Sequence, residues 1–264
     1  DIWHRLYTSG SGWGAQETFL TDFTGVPKLV PGDGIVWAIW DVYDIVEDSG
    51  SVHAVRYNPN TGFGSVEQID DGSGSAAGGQ LDVNAAGDAV AIWSRNGKTR
   101  ANMYEAGAGW GTQETIDDRG GAHDVAIDPN GNVLAIWISP TDASNEFYDI
   151  RFNHYVAGDG WQGAESIVTE RPFESSDANL EMRSDGSALV GWTEYTGPDE
   201  SGDASIHVVD YDPQSGWGDA EMIHSVSAVE SEHPQVAVHD DGRAVMTWLF
   251  EASDGHHAWV SVYE

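Results

Sequence analysis

One short phrase recurs five times along the chain. It reads GSGWGAQETF at residues 10–19, and returns as NTGFGSVEQI, GAGWGTQETI, GDGWQGAESI and QSGWGDAEMI. A repeat of this length constrains the fold more than any other feature, because one unit cannot bury its apolar face alone and must stack on its neighbours. The aromatic residue of the phrase falls at Trp13, Phe63, Trp110, Trp161 and Trp217, at spacings of 50, 47, 51 and 56. Four residues on stands a glutamate (Glu17, Glu67, Glu114, Glu165, Glu221), and two further an apolar side chain (Phe19, Ile69, Ile116, Ile167, Ile223).

Two other elements are interleaved. A glycine precedes a tryptophan by six residues in GDGIVWAIW, AAGDAVAIW, PNGNVLAIW, SDGSALVGW and DDGRAVMTW, ending at Trp40, Trp93, Trp137, Trp192 and Trp248. An apolar and aromatic run ends in Tyr7, Tyr57, Tyr104, Tyr155, Tyr211 and Tyr263. Each unit therefore predicts four short strands. Asp-, Asn- and Gly-bearing turns such as DPNG at 128–131 join the first two, and the repeated phrase turns the third into the fourth. The second strands are apolar at consecutive positions, so both of their faces are buried. Four-stranded sheets at this period, covered on both faces, predict an all-β chain folded as a β-propeller.

The tryptophans from Trp40 to Trp248 span 208 residues in four intervals, or 52 per repeat. That predicts five blades in a single domain over residues 1–264. The last blade takes its first two strands from near 234–250 and its fourth from near 13–20, so that the chain termini share it and no sheet edge is left free. One third strand, either 1–9 or 257–264, is then surplus. The alternative, a six-bladed ring, would lack most of a blade.

The run IWHRLYTSGSGWGAQETF resembles the repeats of bacterial and fungal β-propeller lectins of the Photorhabdus-lectin and tectonin-like type. The DxxGxxxxxW hairpins resemble those of sialidase-like propellers of the BNR type. The resemblance extends over every repeat. It implies a propeller and suggests sugar binding between neighbouring blades, where aromatic rings stack on sugars.

Eleven basic side chains stand against 44 acidic ones, a net charge of −33, and Lys28 and Lys98 are the only lysines. A polyanion of this size repels nucleic acid and anionic lipid. The acid is spread along the chain, as in proteins of saline habitats, where molar salt shortens the Debye length to about 3 Å and screens self-repulsion. Forty per cent hydrophobic residues suffice for a core. No apolar run is long enough to span a membrane. There is no cysteine, which excludes disulfides and thiol chemistry. The N-terminus lacks the pattern of a signal peptide, so an exported or cell-surface protein would already have lost its leader. The expected state is a monomer.

Function is expected on the unequal loops and at the entry to each first strand. Lys28, Gln80, Asp124, Asn179 and Gln235 are polar at the same point of all five repeats. Two residues on, Asp82 and Glu181 share that side of the strand, while Leu29, Leu81, Val125, Leu180 and Val236 face away. If the first strand lines the axis, these side chains ring a channel mouth, either as a solvated lining or as a ligand site. His123 and His233 stand at blade entries beside them. No spacing assigns a metal to the histidines. Calcium is the ion that the oxygens of ESSD at 174–177 and PDESGD at 198–203 would suit, although no cofactor is required. Arg95, Arg119 and Arg171, with Glu194 and Tyr195, fall into no catalytic roles by spacing. Nucleophile elbow, P-loop and dinucleotide fingerprint are absent. The expectation is a non-enzymatic module that recognises a glycan or a protein. A protein-interaction scaffold, and a glycoside hydrolase or polysaccharide lyase, are the alternatives.

Overall fold

A computed structural model describes residues 2–20, 26–44, 46–141, 147–172, 175–195, 203–226, 231–252 and 255–263. The described residues form strands and turns, with no helix. No helix is therefore long and apolar enough to cross a membrane.

Five antiparallel sheets follow one another along the chain. Sheet 1 is built from Lys28–Gly32, Ile35–Asp44 and Ser49–Asn58. Sheet 2 has Ala76–Val83, Ala89–Arg95 and Lys98–Glu105; sheet 3 has Gly121–Ile127, Val133–Pro140 and Phe147–Val156. Sheet 4 has Ser175–Met182, Ala188–Tyr195 and Ala204–Asp212; sheet 5 has Ser231–Val238, Ala244–Ala252 and Gly255–Tyr263. In sheets 1 to 4 the outer edge is the repeated phrase. Its Gly-aromatic pair bonds the end of the third strand and its Glu-bearing segment bonds the middle, as with Tyr104↔Trp110 and Ala101↔Glu114. The glycine before the aromatic residue has φ between +80° and +102° in all five copies, a conformation that a side chain would strain. The phrase is thus a turn.

Burial follows the repeat. Trp40, Trp93, Trp137, Trp192 and Trp248 are at most 4% exposed. They face the preceding repeat: Trp137 donates from Nε1 to Asp117 (3.0 Å), and Trp248 from Nε1 to Nδ1 of His224 (3.1 Å). Apolar clusters span neighbouring sheets, joining Trp37 to Leu81, Trp93 and Tyr104, and Leu134 to Leu180 and Trp192. The core lies between the sheets, as two-sided burial of the second strands requires.

The ends depart from the expectation that the termini share the last blade. Glu17–Leu20 pairs with Ile2–His4, its neighbour in sequence, and sheet 5 stops at three strands. The sheets are not closed into a ring in this structure. A local hairpin satisfies the fourth strand at low loop-closure cost.

Candidate functional site

Lys28, Gln80, Asp124, Asn179 and Gln235 occupy one register position. Each lies opposite the residue before the buried tryptophan: Ile39, Ile92, Ile136, Gly191 and Thr247. In sheets 2 to 5 the pairing slips immediately before this residue, as between Ala77 and Gln80 or between Ala122 and Asp124. A bulge here twists the strand and re-aims the side chain. The five residues line one cavity of about 350 Å³, together with His123, Asp177, Ala122 and Ala178. First strands of all five sheets thus contribute to one cavity.

Several of these side chains also bind one sheet to the next. Asp82 accepts from the backbone N–H of Ile127 (2.9 Å). Asp124 accepts from the N–H of Leu180 (2.8 Å) and the side-chain amide of Asn179 (2.9 Å). Asn179 in turn accepts from the N–H of Val236 (2.7 Å). Lys28 donates to Gln80 (2.7 Å). Asp41 does the same work one strand further out, accepting from Gly78 (2.7 Å) and Gly79 (3.1 Å). The polar ring is a set of stitches as well as a lining.

The electrostatics of the axis are unusual for exposed-chain carboxylates. Burial raises Asp124 to about 6; nearby Asp82 adds to this, and the N–H groups of Leu180 and Val125 oppose it. Burial also raises Glu181, to about 7, with repulsion from Asp124 and Asp82 reinforcing it. Asp82 is raised by burial against the pull of Ile127 and Val83. His123 falls to about 4 through burial, aided by Lys28 and opposed by Asp177, so its imidazole is neutral near pH 7. The axis therefore holds neutral imidazole, amides, one ammonium and partly protonated carboxyls. Such a set exchanges hydrogen bonds with hydroxyl groups in both directions.

Asp82 and Glu181 share the axis but do not line the cavity. His233 lies on the first strand of sheet 5, with its side chain outside the described residues. Asp177, which the sequence offered only as an oxygen donor of ESSD, also lines the cavity. It sits two positions before Asn179, where the other repeats have Val26, Gly78, Ala122 and His233, so a carboxylate does not recur there. His224 is a partner of Trp248 in the core. Arg95 is 1% exposed and ion-paired with Asp70 (3.1 Å) and Asp71, which makes it a structural cation. Among the described residues no group of three or more His, Asp or Glu is arranged to hold a metal ion. ESSD and PDESGD lie partly outside the described residues.

No protein-family model and no curated protein matches the chain. Solved structures do. An ulvan lyase, a polysaccharide lyase, aligns at a TM-score of 0.63 and 9% identity over 89% of this chain and 68% of that one. The β-propeller domain of the Trilobed protease from Pyrococcus furiosus aligns at 0.53 and 9% identity over 92% and 69%. Puromycin hydrolase aligns at 0.56 and 12% identity over 85% of this chain, which spans only 36% of that protein. At such identities the likeness concerns the backbone alone, and a shared fold does not carry a shared activity. With face-to-face antiparallel sheets in chain order around a common axis, the chain folds as a β-propeller.

Proposed function

We propose that the protein is an extracellular recognition module whose axial mouth binds a carbohydrate. The observation that carries this reading is the cavity of about 350 Å³ lined almost wholly by polar groups from all five sheets. The first strands of the five sheets present amides of Gln80, Asn179 and Gln235, the ammonium of Lys28 and the neutral imidazole of His123 at one point. Hydroxyl-rich ligands use this kind of donor and acceptor set. The test is a glycan array read in molar NaCl with the native protein and with Gln235→Ala and Lys28→Ala. Binding weakened about tenfold or more in both variants supports the reading, at the cost of one charge-assisted or neutral hydrogen bond each. No bound glycan would favour a protein-interaction scaffold.

A second reading is a polysaccharide lyase or glycoside hydrolase. It rests on His123 and Lys28 facing one cavity, a neutral base beside a cation able to hold a substrate carboxylate. Release of unsaturated uronate from anionic polysaccharides, lost in His123→Ala, would establish it.

The acidic surface supports a saline, exported setting. The melting temperature is expected to rise from dilute buffer to molar NaCl as self-repulsion among 44 acidic side chains is screened. A flat or falling curve would remove this part of the reading. No resident cofactor is needed for binding, and calcium in the acidic loops is a matter for calorimetry with the ion alone. In its finer detail the fold is read as five blades in a monomer.

A further inference from the structure

Two polar groups of the axial cavity lie close to each other without a bond between them. His123, on the first strand of sheet 3, stands deep in the cavity wall and forms no hydrogen bond or ion pair with the described residues. Asp177, on the first strand of sheet 4, lines the same cavity and acts on this imidazole by charge alone. A neutral imidazole carries one N–H and one lone pair, and a buried one normally has both satisfied. Asp177 also holds a left-handed backbone, φ +54°, at the position that sheet 2 fills with Gly78 at φ +74°. Glycine is the relaxed residue there, so sheet 4 carries its carboxylate at some backbone cost.

The charges around this pair are unbalanced. The lining holds one ammonium, Lys28, and two carboxyls, Asp124 and Asp177, while Asp82 and Glu181 share the axis. Lys28 donates to Gln80 (2.7 Å) and pairs with no carboxylate among the described residues. Asp124 already accepts from Asn179 and from the N–H groups of Val125 and Leu180. Burial raises Asp124 and Glu181, and repulsion from the other axis carboxyls raises both further. A ligand carboxylate would meet this negative set, whereas a ligand ammonium would complete it. In molar salt the field of the 44 acids is screened beyond about 3 Å, so contacts inside the mouth select the ligand rather than net charge.

We propose that the ligand of the axial mouth is an amino sugar, and that its protonated amine seats between Asp177 and His123. The proposal rests on the carbohydrate reading and names the class of sugar. An ammonium has three N–H donors and no acceptor. One N–H donates to a carboxylate oxygen of Asp177, a charge-assisted bond. A second donates to the lone pair of His123, which is open because burial keeps the imidazole neutral near pH 7. The third is left for the side-chain oxygen of Gln235, whose amide nitrogen is already held by the carbonyl of Pro234 (3.0 Å). A hydroxyl or an acetamido group in the same place brings a single hydrogen and leaves Asp177 or His123 unmet. Lys28 and Gln80, on sheets 1 and 2, serve the ring hydroxyls.

The test is calorimetry at about pH 6 with three probes: the glucosamine dimer, the N-acetylglucosamine dimer and a uronate dimer. Molar NaCl suppresses the general attraction of an acidic protein for cations. The amine dimer is expected to bind about tenfold or more tightly than the other two, the worth of a hydrogen bond to a charged group. Asp177→Asn keeps the size and tolerates the left-handed backbone. It should bring the amine and acetylated dimers within about threefold of each other. Equal or tighter binding of the acetylated or uronate dimer overturns the inference and leaves the carbohydrate reading standing. An amine preference unaltered in Asp177→Asn also overturns it. No binding of any glycan removes both. If the variant does not fold, nitrogen-15 shifts of the His123 ring in the unaltered protein decide. Shifts moved by the amine dimer alone support the proposal, and shifts that stay in place overturn it.

Discussion

Sheets 2 to 4 and the two ends of the row carry the same repeat and reach different states. Trp137 in sheet 3 is 0% exposed, Leu180 in sheet 4 is 3% exposed, and the apolar positions between them form continuous clusters. Leu29, which matches Leu180, is 68% exposed at one end, and Val245, which matches the fully buried Leu134 of sheet 3, is 36% exposed at the other. The residues are not less apolar at the ends; they have no sheet opposite them. Burial in this fold belongs to pairs of neighbouring sheets, so an isolated repeat would have little stability of its own. The axial mouth shows the other side of this. Its side chains gain their positions from backbone N–H groups of the next sheet, as Asp124 does from Leu180, so the site is rigid because the sheets are stacked.

That comparison is broken most directly by large-to-small changes. Trp137→Ala should cost about 3–5 kcal/mol, since it opens a cavity between sheets 2 and 3 and strips Asp117 of a donor. Trp13→Ala should cost less than about 0.5 kcal/mol if the ends stay open, because an exposed side chain loses little on truncation. A loss of several kcal/mol at Trp13, read by chemical denaturation, would show that it is covered in solution. Arg95→Ala should cost about 3 kcal/mol or more, because Asp70 is left buried without its cation. A variant as stable as the parent would mean that water reaches this pair.

The smallest effect concerns the axis. Glu181 titrates at about 7 in the fold, above its ordinary 4.5, so the folded state holds a proton that the unfolded chain releases. The stability from this group is complete below about pH 4.5 and is lost as the pH rises through 7. Glu181→Gln should therefore flatten the fall in stability between pH 5 and 8. Because the carboxyl is open to solvent on one side, the gain at pH 8 is held to about 0.5–1 kcal/mol. Identical pH profiles for the two proteins would mean that neither burial nor repulsion from Asp124 and Asp82 shifts Glu181.

Much of this was legible in the residues. The glycine-to-tryptophan spacing located the buried second strands, and the repeated phrase located the turn and the outer edge. Polarity at one recurrent position found Lys28, Gln80, Asp124, Asn179 and Gln235, which do meet in one cavity. The stitching role of Asp82, Asp124 and Asn179 was not legible, because their acceptors serve backbone N–H groups about 45–57 residues away and leave no local pattern. Asp177 was legible only as an oxygen of ESSD, because no carboxylate recurs at its position in the other repeats and the register slips between Ser176 and Asn179. The buried pairing of Arg95 with Asp70 was equally silent, since in a chain with 44 acids any arginine has acidic neighbours in sequence.

The repeat alone determined the strand order, the turn chemistry and the need for each sheet to stack on another, because these depend on periods and on φ angles that only particular residues adopt. Tertiary structure decided what lies opposite each face: which carboxyls crowd the axis and lose their protons late, which lysine and imidazole share a cavity, and which strand Glu17–Leu20 chooses. The physical reason is that desolvation and strand pairing depend on groups brought together across the gap between sheets, at sequence distances where the chain itself sets no preference.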